Sequence, residues 1–215
     1  LRGKPAKAQA HEQSLREAFD EAVRHKGFLL LTAGFFVCGF HIAFVATHLP
    51  AYVAGLGLPA LVGATALSLV GLFNVVGAFA CGWAGGRMRK KHLLSGIYLA
   101  RAVAIAAMLV APKTEITVYL FAAAFGLMWL GTVPLTSGLV GQIFGPRYLA
   151  TLFGMVMLSH QVGAFFGAWL GGLLYDLTGS YDIVWGLAIA LGVVAAALHA
   201  PIPDRPITRA EPATG

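Results

Sequence analysis

The residues of this chain whose types suit chemistry are a few polar side chains set within long apolar runs. Arg101 lies near the middle of one run, and no run has an acidic residue in its interior. A guanidinium so placed can bind a carboxylate ligand through two parallel hydrogen bonds. Two other interpretations stay open: Arg101 snorkels to the nearer membrane surface, or it pairs with a group outside this chain.

The histidines in these runs offer a transferable proton rather than a metal site. His41 and His48 share a helix face but are about 10 Å apart along it, too far to hold one ion. The pKa of histidine is near neutrality, so His41 is a candidate proton carrier; a neutral, hydrogen-bonded histidine is the alternative. His160 and Gln161 form the preferred polar pair. The predicted solute-binding residues are His41, Asn74, Arg101, Trp129, Thr132, His160 and Gln161.

Composition places these residues in a membrane. The chain is 58% hydrophobic and 11% charged, and 60 residues from Gly27 to Gly86 include no Lys, Arg, Asp or Glu. A water-soluble fold cannot cover that much uncharged chain with polar surface. Cys38 and Cys81 lie inside apolar segments and are interpreted as small buried hydrophobes. No metal-ligand spacing, nucleotide loop or catalytic constellation is present, so an enzyme, a metal and a cofactor are not expected.

The elements that must position these residues are six membrane helices. The fold class predicted is all-α, with a six-helix transmembrane bundle over 27–200. Residues 1–26 are expected to form a linker with an amphipathic helix from Glu12 to Lys26, and 201–215 a tail. The predicted spans are 28–48, 61–84, 93–111, 116–139, 150–173 and 183–200.

The distribution of cations predicts the orientation. Thirteen of the fifteen Lys and Arg residues fall in the two terminal segments and two alternate loops, leaving only Lys113 and Arg101. By the positive-inside rule, both termini are expected to be cytoplasmic in a multi-pass protein of the cell inner (plasma) membrane. Cations gathered in short loops beside apolar runs indicate contact with membrane lipid and argue against nucleic acid.

Small residues and one proline predict how the helices pack. Gly163, Gly167 and Gly171 recur every fourth residue, a stripe against which a neighbouring backbone is expected to lie. Pro134, close to Gly131 and Thr132, is expected to kink or break the fourth span.

The loop after the second span carries a motif. The sequence Gly82-Trp83-Ala84-Gly85-Gly86-Arg87-Met88-Arg89-Lys90-Lys91 resembles the G-x-x-x-D-R-x-G-R-R loop of the major facilitator superfamily. Gly82 and Gly86 are expected to allow close helix approach. Gly86 stands where the motif has its acid and Arg89 where it has its second glycine, which puts the charge-relay gate in doubt. The positions that match the motif are Gly82, Arg87, Lys90 and Lys91. By this resemblance the expected gating loop consists of these four residues with Gly86 and Arg89.

The resemblance extends along the chain. Tyr148–Tyr181 is similar to the eleventh span and following loop of these transporters, so the six spans are identified as helices seven to twelve. This implies a C-terminal half that rocks against an N-terminal six-helix half absent from this chain. Thr47-His48-Leu49-Pro50, Tyr98 with Arg101, and 129–134 look most like monocarboxylate and oxalate/formate carriers. The implied function is transport of a small organic anion, with a proton as candidate partner; alternatives are efflux of apolar drug-like compounds or a non-transporting scaffold or channel subunit.

Overall fold

The computed structural model describes residues 13–208, and this part of the chain is all-helical. Six helical segments in it are long and apolar enough to cross a membrane. The fourth of these is built from two shorter helices, α5 and α6. In chain order the helices are α1 (Leu15–Arg24), α2 (Lys26–Gly55), α3 (Ala60–Gly85), α4 (Lys90–Val110), α5 (Glu115–Leu127), α6 (Thr132–Phe144), α7 (Leu149–Thr178) and α8 (Asp182–His199).

The helix α1 is amphipathic and separate from the first span. Its start is a capping box, in which Ser14 accepts from the Glu17 amide and Glu17 from the Ser14 amide. His25 is extended, which divides α1 from α2 where the sequence predicts one helix running to Lys26. The expected apolar face of this helix was Leu15, Phe19, Ala22 and Val23. Ala22 is buried and Val23 partly buried, whereas Leu15 and Phe19 are exposed. Glu12 lies outside the described residues.

Three spans extend well past their predicted ends. The fourth span does so because α6 continues to Phe144, beyond the predicted end at residue 139. The helix α2 continues through Pro50 to Gly55, and at 30 residues it is about 45 Å long. A proline removes one helical hydrogen bond without always ending the helix, so the predicted boundary at residue 48 was too early. The helix α7 also has 30 residues and ends at Gly179, whose φ of 69° is in the left-handed region that favours glycine.

The fourth span is interrupted between α5 and α6, where the sequence predicts a kink or break. Residues 128–131 leave the helix, and Pro134 lies in the first turn of α6, exposed. Proline is tolerated there because the first amides of a helix have no intrahelical acceptor. The proline therefore belongs to the start of the second half-helix, and the unwound residues precede it.

The largest helix interfaces follow an internal symmetry. They pair α2 with α7, α3 with α5, and α4 with α8. Suppose that the first, second and third spans are exchanged for the fourth, fifth and sixth. The α2–α7 pair then becomes the α3–α5 pair, and the α4–α8 pair becomes itself. This is the pattern that two three-helix units in an inverted repeat would produce.

Glycines bring the first two of these pairs together. A Cβ at Gly163 or Gly167 of α7 would overlap the carbonyl oxygen of Phe36 or Phe40 on α2, and one at Gly171 would meet the His48 ring. In the α3–α5 pair, a Cβ at Gly77 would overlap the carbonyl of Leu127. Both interfaces therefore depend on backbone-to-backbone approach.

Within the described residues, Gly82 and Gly86 of the basic loop (residues 82–91) make no such close contact. A Cβ at Gly82 would meet no atom within 4 Å in the described residues, and one at Gly86 would meet only the Trp83 carbonyl, at 3.5 Å. Gly82 lies on the outer surface of α3, facing away from the other helices of this bundle.

Candidate solute-binding site

The break in the fourth span is held by a side chain of the third. The Arg101 guanidinium, on α4, donates to the carbonyl of Met128 through Nε at 3.1 Å and also through Nη2. Nη2 donates in addition to the carbonyl of Trp129 at 2.6 Å. Both carbonyls follow the last turn of α5, where helix carbonyls lack amide partners and the helix dipole is negative. The break is thus a built cation site, occupied by Arg101.

Two further side chains, Asn74 and Cys38, form hydrogen bonds with residues at the break. Asn74 of α3 accepts from the Leu130 amide through Oδ1 at 2.9 Å. Thr132 Oγ1 lies 3.2 Å from Cys38 Sγ, and the Arg101 Nη1 donates to the same sulfur at 3.5 Å. Side chains of α3 and α4 therefore hold the backbone of residues 128–130, and Cys38 of α2 contacts the Thr132 side chain.

The surroundings of Arg101 decide against the snorkelling interpretation. Its side chain is fully buried, and the ring of Tyr98 lies 5.3 Å from its guanidinium carbon. Among the described residues no carboxylate forms an ion pair with it. The backbone dipoles of the break offset only part of its charge, so the interior of the bundle is electropositive.

His41 forms its hydrogen bond with α8 and not with the break. It is fully buried, and its Nε2 lies 2.8 Å from the carbonyl of Ala188 on α8, so this nitrogen is the donor. Within residues 13–208 its Nδ1 has no hydrogen-bond partner. A proton added there would place a second buried charge in the same electropositive interior as Arg101, which is unfavourable.

His160 and Gln161 lie at the accessible side of the cluster. His160 Nδ1 is 3.0 Å from Gln161 Oε1, with His160 partly and Gln161 largely exposed. The His160 ring also packs against Phe35 of α2, with the ring centres 5.2 Å apart. Of the seven predicted residues, Asn74, Arg101, Trp129 and Thr132 thus meet at the break, His160 and Gln161 lie beside it, and His41 faces α8.

The cations of the basic loop all have partners. Arg87 stacks on Trp83, 4.0 Å from the ring centre, and donates to its carbonyl. The other three reach other elements: Arg89 to Asp204, Lys90 to the Gln142 side chain on α6, and Lys91 to the Ile202 carbonyl.

Sequence reasoning missed three of these functional groups. Cys38 was interpreted as a small hydrophobe, yet it contacts both Arg101 and Thr132. The backbone acceptors at 128 and 129 give no sequence signal, because every residue has a carbonyl. Asp204 had a detectable signal, since it is the first carboxylate after the last span and could have been weighed against the basic loop.

Comparison with known proteins identifies the family that shares this pattern. The family model described as "Uncharacterised MFS-type transporter YbfB" matches residues 3–200. The match includes the basic loop, the broken fourth span and the glycine stripe.

Three curated relatives are similar over most of the chain. The uncharacterized MFS-type transporter YcxA of Bacillus subtilis is 24% identical over 175 residues, 79% of this chain and 42% of its own length. Monocarboxylate transporter 13 of Rattus norvegicus is 30% identical over 145 residues, 66% of this chain and 33% of its own. The Bos taurus protein of that name is 27% identical over 165 residues, which are 74% of this chain and 38% of the length of that protein. The chain thus spans less than half the length of these relatives.

Proposed function

Because the chain belongs to the MFS-type transporter family, we propose that it is one six-helix half of a secondary transporter that moves a small organic anion by alternating access. The missing N-terminal half would supply the opposite wall of the substrate cavity. The relatives' lengths support a larger protein of which this bundle is one part. The family is one of transporters, which sets aside the enzyme class.

The observation that supports an anionic substrate is the charge of the bundle interior. Arg101 is completely buried, and its hydrogen-bonding partners are the neutral carbonyls of Met128 and Trp129 and the sulfur of Cys38. A buried charge that keeps no carboxylate partner favours a mobile anion nearby. Two relatives are named monocarboxylate transporters, which favours the same substrate class.

The roles divide by exposure. The partly exposed side chains of Asn74, Trp129, His160 and Gln161 would contact the solute directly. Arg101 and Thr132 are sealed, so they would act as positioning residues that set the shape and charge of the break.

Exposure also distinguishes the two histidines that are candidates for the coupling proton. His160 is accessible and already bonded to Gln161, whereas His41 is enclosed with one nitrogen unpartnered. We therefore place a coupling proton on His160, in preference to the His41 that the sequence suggested.

The charge distribution supports an orientation with the basic loop in the cytoplasm. The basic loop and the segment after α8 meet at one end of the bundle, through Arg89 and Asp204. With thirteen of fifteen cations in segments predicted for this side, both termini would be cytoplasmic and the bundle would span the cell's inner membrane.

Uptake into proteoliposomes tests the proposal. The protein, expressed from its complete native gene, is given a series of labelled small carboxylates with and without an inward proton gradient. Uptake of at least one carboxylate is expected, with a dependence on the gradient that His160→Ala removes. His92→Ala is the matched control, because His92 is exposed on α4 beside the basic loop. Carboxylate uptake that His160→Ala leaves unchanged would contradict the assignment.

One observation favours efflux of apolar compounds as a second candidate. The guanidinium of Arg101 is already engaged by backbone carbonyls and a sulfur, which is what a purely structural cation would do. The same vesicles distinguish the two: export of lipophilic dyes, without any carboxylate uptake, would favour efflux.

A further inference from the structure

The segment after α8, residues 201–208, packs back against the end of the bundle that carries the basic loop. Ile202 is fully buried and the side chain of Asp204 is only 9% exposed. Asp204 accepts two hydrogen bonds from Arg89, from Nε to Oδ2 at 3.0 Å and from Nη2 to Oδ1 at 2.7 Å. This is the bidentate arrangement that gives arginine–carboxylate pairs their geometric specificity.

The backbone of the same segment binds helices from both three-helix units. Lys91, at the start of α4, donates to the Ile202 carbonyl at 2.8 Å. Gln142, at the end of α6, donates to the Asp204 carbonyl at 2.6 Å, and the Ile207 amide donates to the Ile143 carbonyl at 3.0 Å. The segment therefore joins α4 of the first unit to α6 of the second.

The basic loop has a local reason to need this partner. Four cations lie within five residues, from Arg87 to Lys91, and Gly86 occupies the place of the acid in the motif that the loop resembles. Unpaired, the cations would repel each other. Among the described residues, Asp204 is the carboxylate that forms an ion pair with this loop.

We propose that Asp204 supplies to the basic loop, from residues 201–208, the carboxylate that the loop itself lacks, and that this segment ties the two three-helix units together. Alternating access by rocking requires each half of a transporter to move as one body. The large interfaces of α2 with α7, α3 with α5 and α4 with α8 already join the units. The segment after α8 adds a further tie at the end of α6, the half-helix that the break separates from α5. Asp204 is then a positioning residue for transport.

Hydrogen exchange measured by mass spectrometry tests the tie without knowledge of the substrate. In Asp204→Asn, amide exchange is expected to rise about fivefold in residues 201–208, at the start of α4 and at the end of α6. Arg205→Gln is the matched control, because Arg205 is exposed on the same segment. The charge exchange Arg89→Asp with Asp204→Arg is expected to restore the slow exchange that either single change removes.

Each result decides the proposal. Wild-type exchange rates in Asp204→Asn, or a double variant no slower than the single ones, would show that the pair does not hold the segment. Faster exchange confined to 201–208, with α4 and α6 unchanged, would show that the segment does not tie the units.

Uptake kinetics add the functional readout, which rests on the proposed transport. Asp204→Asn is expected to lower kcat several-fold while KM stays constant, because the pair lies away from the solute. An unchanged kcat would overturn the role in transport. If the wild-type protein carries no carboxylate, the proposed substrate fails, and the exchange data still decide the tie.

Discussion

Arg101 and Arg89 show two ways in which this molecule balances a guanidinium. Arg89 lies at the bundle end with 59% of its side chain exposed, and a carboxylate binds it bidentately. Arg101 is fully buried, and the carbonyl groups of a broken helix take that place. At the bundle end, water still solvates part of the ion pair, so its desolvation penalty is small. In the interior, the carbonyl dipoles balance the guanidinium without a second ion that would also have to be desolvated. Arg101 therefore supports the break inside the bundle, whereas Arg89 holds the segment after α8 at the end of the bundle.

The largest effect is expected from Arg101→Gln. It leaves the carbonyls of Met128 and Trp129 without their strongest donor, so the free energy of unfolding should fall by about 3 kcal/mol. Thermal unfolding in detergent measures it. Arg101→Lys keeps the charge but has fewer hydrogen-bond donors, so its stability should lie between those of the wild type and the Gln variant. A Gln variant as stable as the wild type would mean that the break holds itself.

The glycines extend the same comparison between interior and end. A methyl group at Gly163 would overlap the Phe36 carbonyl, so Gly163→Ala should destabilise the protein by about 2 kcal/mol through separation of α2 and α7. Gly82→Ala is the matched control because its Cβ would lie in open space. Equal unfolding temperatures for the two variants would contradict the assigned packing.

A smaller effect is expected from Asn74→Ala. It removes the acceptor of the Leu130 amide at the break, at a cost of about 1 kcal/mol. Ser68→Ala is the control on the same helix, because Ser68 bonds only to the carbonyl one turn earlier. If both variants unfold at the same temperature, Asn74 does not support the break, and its proposed contact with the solute becomes its main role.

The smallest effect belongs to the end of the bundle and is revealed by pH. Hydrogen bonds from Arg89 hold the pKa of Asp204 below its usual range. Its contribution is therefore present above the unfolded pKa, about 3.9, and is lost as pH falls through the lower folded value. The unfolding temperature of the wild type should exceed that of Asp204→Asn by at most a few degrees near pH 7, and this difference should shrink steadily as the pH falls below about 3.9. A difference that stays constant on acidification would exclude the charge as its source.

Much of the framework follows from the sequence. Six spans are visible because each must present apolar side chains over about 30 Å, and the basic loops mark their ends. The break near Gly131, Thr132 and Pro134 is also readable, because small residues and proline weaken a helix locally. Span lengths were underestimated at Pro50 and beyond residues 139 and 173, where glycine, proline or polar residues interrupt the apolar run although the helix continues.

The partners of the charged groups were settled only by the tertiary structure. The sequence shows that Arg101 lies in a span and that no predicted span contains an acidic residue. It does not show that the fourth span is unwound and that its carbonyls accept hydrogen bonds from Arg101. It shows a basic loop lacking its acid, but not the carboxylate 115 residues later that contacts it. Hydropathy is a local property, so spans can be read from their own residues. Partners are set by how the spans pack, and a backbone carbonyl is identical at every position, so only the fold decides which one an arginine meets.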